Sequence, residues 1–433
     1  LNKSKRRLRP AGLGLASVLW CTVSVPLLHC GWTLTAGPAS AQTVETSIGN
    51  LSSVQQDVEA VCELVRTHYA YFESRRAVWD EACETAREES STTLAQTRSG
   101  HLALLERLLD QLYDNHVSLN TNSAFSPRLV PSGSDYWLDY VSGVSVVTAV
   151  RPRSGAAAAG LAVGDVMLEM NDMPVLDAAL SRIRAGRNVI TQDRLEWALN
   201  AQGAGYRGSE RRVRVKRDDE SLELDLGDPV AEIGADKPVT WKRLSGNVGY
   251  IRFEDSLGNR DVTVEAFDAA LEALRGSDGW IVDLRNTPGG GNTETAEPIL
   301  ARFIRGVRAY QAAGPRWEGE HKRYVASRGP WRVRGRVAVL AGRWTGSMGE
   351  GMAVGFDGLR RGRVFGGEMA GLAGGIESFE LPGSGMQVRF PTYNLLHVKG
   401  INRHDWRPPE TVTADNGNGP DLALNAALDW VRR

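Results

Sequence analysis

The sequence predicts a multidomain α/β protein, and three patterns carry that expectation. Two apolar runs, Trp280-Ile-Val282 and Val337-Ala-Val-Leu340, each stop at a turn of small residues and lead into a helix-compatible stretch. Such runs suit strands buried on both faces of a sheet. Upstream, Val54 to Tyr71 and Leu102 to Tyr113 place apolar residues at three- and four-residue spacing with charges between them, the pattern of amphipathic helices. From Tyr136 to Leu226 short β-like runs surround one small-residue helix. At 433 residues, 42% hydrophobic and 24% charged, the chain exceeds a single domain of about 100–200 residues. The expected division is a leader over 1–41, a helical domain over 42–132, a β-rich domain over 133–228 and an α/β core over 229–433.

The first segment reads as a targeting sequence. Lys3-Ser-Lys-Arg-Arg-Leu-Arg9 is basic, Ala11 to Leu28 is mostly apolar, and Ala39-Ser-Ala41 is an A-x-A cleavage site. Cleavage after Ala41 and export, to a periplasm or to the outside of the cell, are the expectation. An uncleaved membrane anchor is the alternative, because the apolar run is long for a signal. Lipidation at Cys30 is disfavoured by the bulky His29 before it. The formal net charge is −1, but the first 41 residues carry five basic side chains and no acid, which leaves −6 for the rest. That balance gives no support to nucleic-acid binding.

Within the helical segment, Cys62 and Cys83 both fall in helix-like patterns. An oxidising compartment permits a disulfide between paired helices, the alternative being two unpaired thiols in an apolar interface. The polar stretch from Asn120 to Asp135, with its prolines and serines, reads as a linker.

Val144-Ser-Val-Val-Thr-Ala-Val150 is followed by Ser154-Gly-Ala-Ala-Ala-Ala-Gly160-Leu-Ala-Val-Gly164-Asp165-Val-Met-Leu-Glu-Met-Asn171. This order of strand, small-residue helix and Gly-Asp strand entry resembles a PDZ domain. The resemblance implies capture of an extended peptide by strand addition, its terminal carboxylate held by backbone N–H groups. The carboxylate loop would lie between Tyr136 and Val146. A purely structural PDZ-like unit is the other reading. Arg211 to Arg217 alternates basic and apolar residues and suits a half-exposed strand, its cations forming a solvated face rather than a nucleic-acid site.

The core holds the chemistry. Gly279-Trp-Ile-Val-Asp283-Leu-Arg285-Asn-Thr-Pro-Gly289-Gly290-Gly291 runs from a strand into a Gly-rich turn and then a helix over Thr293 to Ile304. Glycines let the backbone approach a ligand and turn N–H groups into a cleft. No Gly-Lys-Ser/Thr ending follows, which argues against a phosphate loop. Val337-Ala-Val-Leu-Ala-Gly-Arg-Trp-Thr-Gly-Ser347-Met-Gly-Glu350 presents a serine at the entry to a second helix, Met348 to Leu359. The first N–H groups of a helix lack intrahelical partners and stabilise negative charge. Ser347 therefore reads either as a nucleophile or as a simple N-cap.

Taken together these motifs resemble the serine peptidases that comprise the C-terminal processing peptidases, the tricorn core protease and the related retinoid-binding repeats. Asp283-Leu-Arg285-Asn-Thr-Pro-Gly-Gly290 resembles an Asp-Leu-Arg-x-Asn-Pro-Gly-Gly signature, and Thr345-Gly-Ser347-Met-Gly-Glu350 resembles Thr-Ala-Ser-Ala-x-Glu. Gly249-Tyr-Ile-Arg-Phe253, Val364-Phe-Gly-Gly367, Leu381-Pro-Gly383 and Pro408-Pro-Glu-Thr-Val412 follow in family order. The resemblance implies a crotonase-like catalytic core, an inserted PDZ domain, an N-terminal helical domain, and hydrolysis of peptide bonds in polypeptide substrates through Ser347. No cofactor or metal is implied, and His68, His101, His321 and His397 lack ligand spacing.

One departure selects the base. The lysine of the C-terminal processing branch is replaced by Leu372, and Met369 to Ile376 contains no lysine. Arg360, Arg361 and Arg363 cannot serve, because a guanidinium stays protonated. Leu112-Tyr-Asp114-Asn-His116-Val-Ser-Leu119 resembles instead the Asp-x-His-Thr-like motif of the tricorn-like branch, which implies His116 as general base. Asn115 stands where tricorn has a serine. The late acidic residue of that branch points to Asp405, with His404 the competing choice, and the oxyanion donors fall on Gly289, Gly290 and Met348. Glu350 reads as a structural residue fixing the turn. The rival classes are a catalytically inactive peptide- or ligand-binding protein on the same fold and an esterase acting on small acyl groups.

Overall fold

The computed structural model describes residues 51–183, 190–229, 237–254, 256–315, 321–412 and 420–433. The expected leader over 1–41 lies outside the described residues. The described residues cluster as one compact unit.

Three helices come first: α1 (Ser53–His68), α2 (Arg76–Ser90) and α3 (Arg98–Asp110). Ser52 and Gln55 form a reciprocal capping box at the start of α1, and Thr97 caps α3 through Gly100 N–H. Cys62 and Cys83 join α1 to α2 in a disulfide. Val58, Val61, Val65, Trp79 and Leu105 pack with Leu381, Val388 and Phe390, so these helices rest on a sheet from the far end of the chain. A buried contact reinforces that docking: Asp57 accepts Gly383 N–H at 2.6 Å and lies 3.1 Å from His101 Nε2.

A two-residue strand, β1 (Ser118–Leu119), follows the helices. The residues from Asn120 to Asp135, expected as a linker, are a packed loop. Asp135 is fully buried because its carboxylate takes both guanidinium arms of Arg211 at 2.6 and 2.9 Å. Trp344 Nε1 donates to Ser134 O at 2.9 Å. Composition alone does not reveal that these polar groups find partners.

The next unit holds β2 (Tyr136–Val141), β3 (Val144–Val150), α4 (Gly155–Ala158), β4 (Val166–Met170), β5 (Met173–Pro174), α5 (Val175–Leu180), α6 (Gln192–Ala204), β6 (Arg212–Arg217) and β7 (Glu220–Asp225). Its sheet is antiparallel in the order β2-β3-β4-β6-β7, with β5 on β4. On β6, Val213 and Val215 point into the core while Arg212, Arg214 and Arg217 pair with Asp225, Glu169 and Asp165.

The core begins with β8 (Val239–Leu244), β9 (Val248–Phe253), α7 (Arg260–Ala273), β10 (Gly279–Asp283) and α8 (Thr293–Ala301). It continues through β11 (Val307–Pro315), β12 (His321–Ala326), β13 (Arg336–Ala341), α9 (Met348–Gly358), β14 (Arg363–Gly366), β15 (Gly375–Glu380), β16 (Gln387–Leu396), β17 (Glu410–Thr411) and α10 (Leu422–Arg432). The central sheet runs β17-β14-β13-β10-β9-β8, parallel except for the β8–β9 pair. Both faces are covered, which explains the continuous apolar runs. Val282, Val337 and Val339 meet Phe267, Ile299 and Phe356 on one side. Ile281, Ala338 and Leu340 meet Ala427 and Val431 of α10 on the other. A second sheet, β1-β16-β11-β12 with β15 beside β16, carries the helices α1 to α3.

Candidate active site

The carboxyl ends of β10 and β13 lie side by side, because Gly279 to Asp283 pairs in parallel with Arg336 to Leu340. The two turns that leave them are clasped together. Thr345 Oγ1 donates to Leu284 O at 2.8 Å, and Gly346 N–H donates to Thr287 O at 3.0 Å. Small residues are required here. A Cβ on Gly346 would lie 2.8 Å from Pro288 O, and one on Gly349 would lie 2.7 Å from Thr287 Oγ1.

Ser347 sits at the tip of the second turn with φ 49° and ψ −115°. It occupies the N-cap position of α9, but an ordinary N-cap is extended, and a positive φ on serine costs of order 1–3 kcal/mol. The surrounding structure holds the residue there. Glu350 Oε2 accepts Ser347 N–H at 2.8 Å, and the same carboxylate accepts Gly371 N–H at 3.0 Å and Leu372 N–H at 3.2 Å. Burial pushes the Glu350 carboxyl up to about 7, against the Arg403 cation and these three N–H donors, which pull it down. The structural part read for Glu350 in the sequence is thus visible in atoms.

His116 arrives from the other end of the chain. After α3 the backbone turns, with Asp114 Oδ1 accepting His116 N–H at 2.8 Å and Asp114 Oδ2 accepting the Tyr69 hydroxyl at 2.8 Å. Immediately afterwards β1 pairs with β16, Ser118 opposite Arg389, and this pairing fixes where the histidine lies. Its Nε2 is 3.2 Å from Ser347 Oγ and its Nδ1 is 2.8 Å from Ala373 O. A carbonyl only accepts, so Nδ1 carries the proton and Nε2 offers its lone pair to the serine. Burial is the main cause that lowers the imidazole to about 4; the Ala373 carbonyl opposes it and the nearby Arg403 cation adds to it. The ring is therefore neutral at ordinary pH.

The candidate oxyanion donors Gly290 and Met348 lie on the two turns that meet at Ser347. The Gly290 carbonyl is turned away, accepting Leu257 N–H at 3.2 Å and Ser256 Oγ at 2.9 Å. A Cβ on Gly290 would face Ser347 Oγ at 4.0 Å. Met348 begins α9, where the first N–H groups have no intrahelical acceptor. Gly289 is bridged to Ser256 instead. A serine hydroxyl within reach of a neutral imidazole, at the start of a helix and beside the Gly290 backbone, suits attack on a carbonyl carbon.

Asp405 is not brought into this constellation. It ends a short 3-10 turn, Arg403–Asp405, with its side chain largely exposed and bonded by Asn402 Nδ2 at 3.0 Å. The turn points Arg403 inward in its place. Arg403 is buried, donates to Leu372 O at 2.7 Å and lies 3.9 Å from the Glu350 carboxylate. His404 lies edge-on to Tyr71, and its Nε2 is 3.8 Å from Asp405. The group that orients His116 is the main-chain carbonyl of Ala373, to which no residue type in the sequence points. Leu372, in the position of the missing lysine, packs its side chain toward Gly346. A cavity of about 400 Å³ extends from Gly371 and from Asn115 and Ala373, the chain neighbour and the hydrogen-bond partner of His116, toward Trp137, Asp139 and Glu196.

Comparison with known proteins places these elements. The model of peptidase family S41 matches residues 247–409, the stretch that contains both turns. Three solved structures share the fold over 88% of this chain. A photosystem II D1 C-terminal processing protease is 16% identical, covered over 98% of its own length, with a TM-score of 0.51. A putative peptidase from Parabacteroides merdae is 16% identical, covered over 97%, with a TM-score of 0.53. Mature CPAF is 12% identical, covered over 95%, with a TM-score of 0.58. No curated protein matches the chain.

Proposed function

We propose that this chain, of which residues 247–409 match the model of peptidase family S41, is an exported serine endopeptidase that cleaves polypeptides through a Ser347 acyl-enzyme. The observation that carries the reading is the contact of Ser347 Oγ with His116 Nε2 at 3.2 Å, the opposite ring nitrogen being held by Ala373 O at 2.8 Å.

In the first half-reaction Ser347 Oγ attacks the scissile carbonyl carbon while its proton passes to His116 Nε2. The oxyanion forms against the N–H groups of Gly290 and Met348. Collapse breaks the C–N bond, and His116 returns the proton to the leaving amine. Water then attacks the acyl ester, giving a proton to the same nitrogen, and as the ester C–O bond breaks His116 returns that proton to Ser347 Oγ, which frees the hydroxyl and the new carboxyl product. Glu350 and Arg403 act by holding the turn; neither takes a proton from the serine in this scheme.

The central parallel sheet with its helices is read as a crotonase-like core, and α1 to α3 as the N-terminal helical domain. The β2–β7 unit is read as a PDZ domain that presents substrate peptide to the cavity. Export rests on the N-terminal sequence, and the Cys62–Cys83 disulfide supports it, since such bonds persist in oxidising compartments. No helix of the described residues is long and apolar enough to cross a membrane.

The test is hydrolysis of a disordered protein, read by mass spectrometry of the fragments. Internal cleavage by the wild type and its loss in Ser347→Ala and His116→Ala are expected. Equal cleavage by Ser347→Ala would overturn the assignment.

A further inference from the structure

A peptide added to an antiparallel sheet needs an edge strand whose outward N–H and C=O groups are free. In the β2–β7 unit β2 is an edge strand, and α6 lies along it. The outward groups of β2 are already paired. The Asn200 carboxamide accepts Leu138 N–H at 2.9 Å and donates to Leu138 O at 2.8 Å, the two bonds that a neighbouring strand would make. One residue pair further along, Glu196 Oε1 accepts Tyr140 N–H at 3.4 Å and Gln192 Nε2 donates to Tyr140 O at 3.2 Å.

These three side chains are spaced four residues apart, so they form one stripe on α6. Asn200 is almost fully buried, and its remaining N–H bonds Glu196 O at 2.8 Å, which leaves the carboxamide no spare donor. The helix also sits close at its other end. A Cβ on Gly203 would lie 2.9 Å from the Tyr136 hydroxyl, a separation possible only because the residue is glycine. Residues 203, 200 and 196 thus meet 136, 138 and 140 in an antiparallel register, with no room for a strand between.

We propose that α6 occupies the strand-addition site of this unit, and that Asn200 sets its affinity for peptide by competing for the Leu138 backbone. An incoming peptide must exchange its own amide for the Asn200 carboxamide and move α6 away from β2. The inference rests on reading the unit as peptide-binding, and its test is kept separate from catalysis.

The experiment uses the mature full-length chain carrying Ser347→Ala, alone and combined with Asn200→Ala. Two quantities are read: deuterium exchange at the Leu138 and Tyr140 amides, and fluorescence anisotropy of short dye-labelled peptides with free apolar C-termini. Slow Leu138 exchange is expected with Asn200 present, at least about tenfold faster exchange in Asn200→Ala, and slow exchange again on adding peptide. Peptide should bind Asn200→Ala at least about tenfold more tightly. A Gln192→Ala/Glu196→Ala double variant, altered only at the less buried end of the stripe, should show the same direction at Tyr140 should Asn200→Ala fail to fold. Equal affinity with and without Asn200, unchanged Leu138 exchange, or no peptide binding by either protein would overturn the proposal. None of these results depends on whether Ser347 is a nucleophile.

Discussion

The Glu350 carboxylate accepts the backbone N–H of Ser347 at 2.8 Å while lying 3.9 Å from the Arg403 guanidinium. It is fully buried and also takes two N–H groups from the loop at Gly371 and Leu372. One side chain thereby ties the serine turn to the segment whose Ala373 carbonyl orients His116. Glu350→Gln keeps the shape but replaces one acceptor oxygen by a donor facing N–H groups. Such a buried mismatch costs about 2–3 kcal/mol. A fall of about 30- to 150-fold in kcat/KM is expected, checked by steady-state kinetics on a peptide substrate.

The acid limb of the activity profile should belong to Glu350. His116, at about 4, is neutral across the working range, whereas Glu350 takes up a proton near 7. As pH falls through that value the carboxylate ceases to hold three N–H groups, and kcat/KM should decline below about pH 7. Stability moves the other way. The folded pKa lies above the ordinary 4.5, so between the two values the folded chain binds the proton more tightly, and this group favours folding increasingly as pH falls. A limb near 4 in the pH dependence of kcat/KM would assign the control to His116 instead.

Arg403 and Asp405 are two residues apart with opposite expectations. Arg403→Met removes the cation that pulls the Glu350 carboxyl down and the donor to Leu372 O, so the acid limb of kcat/KM should move to higher pH and a loss of about 1–3 kcal/mol in unfolding free energy is expected from denaturant titration. Asp405→Asn removes a largely exposed carboxylate that does not reach His116. Its kcat/KM should stay within about twofold of wild type, since surface changes away from special features are small.

Asp283 anchors the first turn from below. Its carboxylate is fully buried and accepts the Tyr250 hydroxyl at 2.6 Å and Arg285 Nη2 at 2.7 Å. Despite burial, the guanidiniums of Arg285 and Arg252 hold its pKa well below the usual carboxylate range. A depressed pKa gives stability that is present above the unfolded value of about 3.9 and is lost as pH falls below it. Asp283→Asn should lower unfolding free energy by about 3–5 kcal/mol near neutrality, and the gap should narrow in strong acid. Thermal melts at both pH values check it.

Much of this was legible in the residues for definite reasons. Strands such as Val337 to Leu340 are covered on both faces, so they appear as unbroken apolar runs, and the small residues after them are demanded by the close approach of the two turns. His116 could be found because it travels with Asp114, whose carboxylate shapes its turn. What stayed hidden depends on backbone and on long-range pairing. The Ala373 carbonyl has no side-chain signature. Arg403 stands between Asn402 and His404 with no motif to mark it, so its approach to Glu350 depends on long-range packing. The choice of Asp405 followed the order of the segment, while the 3-10 turn decided which residue faces inward. Asp135 looked like linker until Arg211, far along the chain, was seen to neutralise it.

The most direct measurement is labelling of the mature protein by a fluorophosphonate, read as intact mass. A serine activated by His116 is expected to take up one probe per chain at Ser347, with labelling abolished in Ser347→Ala and reduced by orders of magnitude in His116→Ala. A folded wild type that remains unlabelled, or His116→Ala labelled at the wild-type rate, would contradict the account.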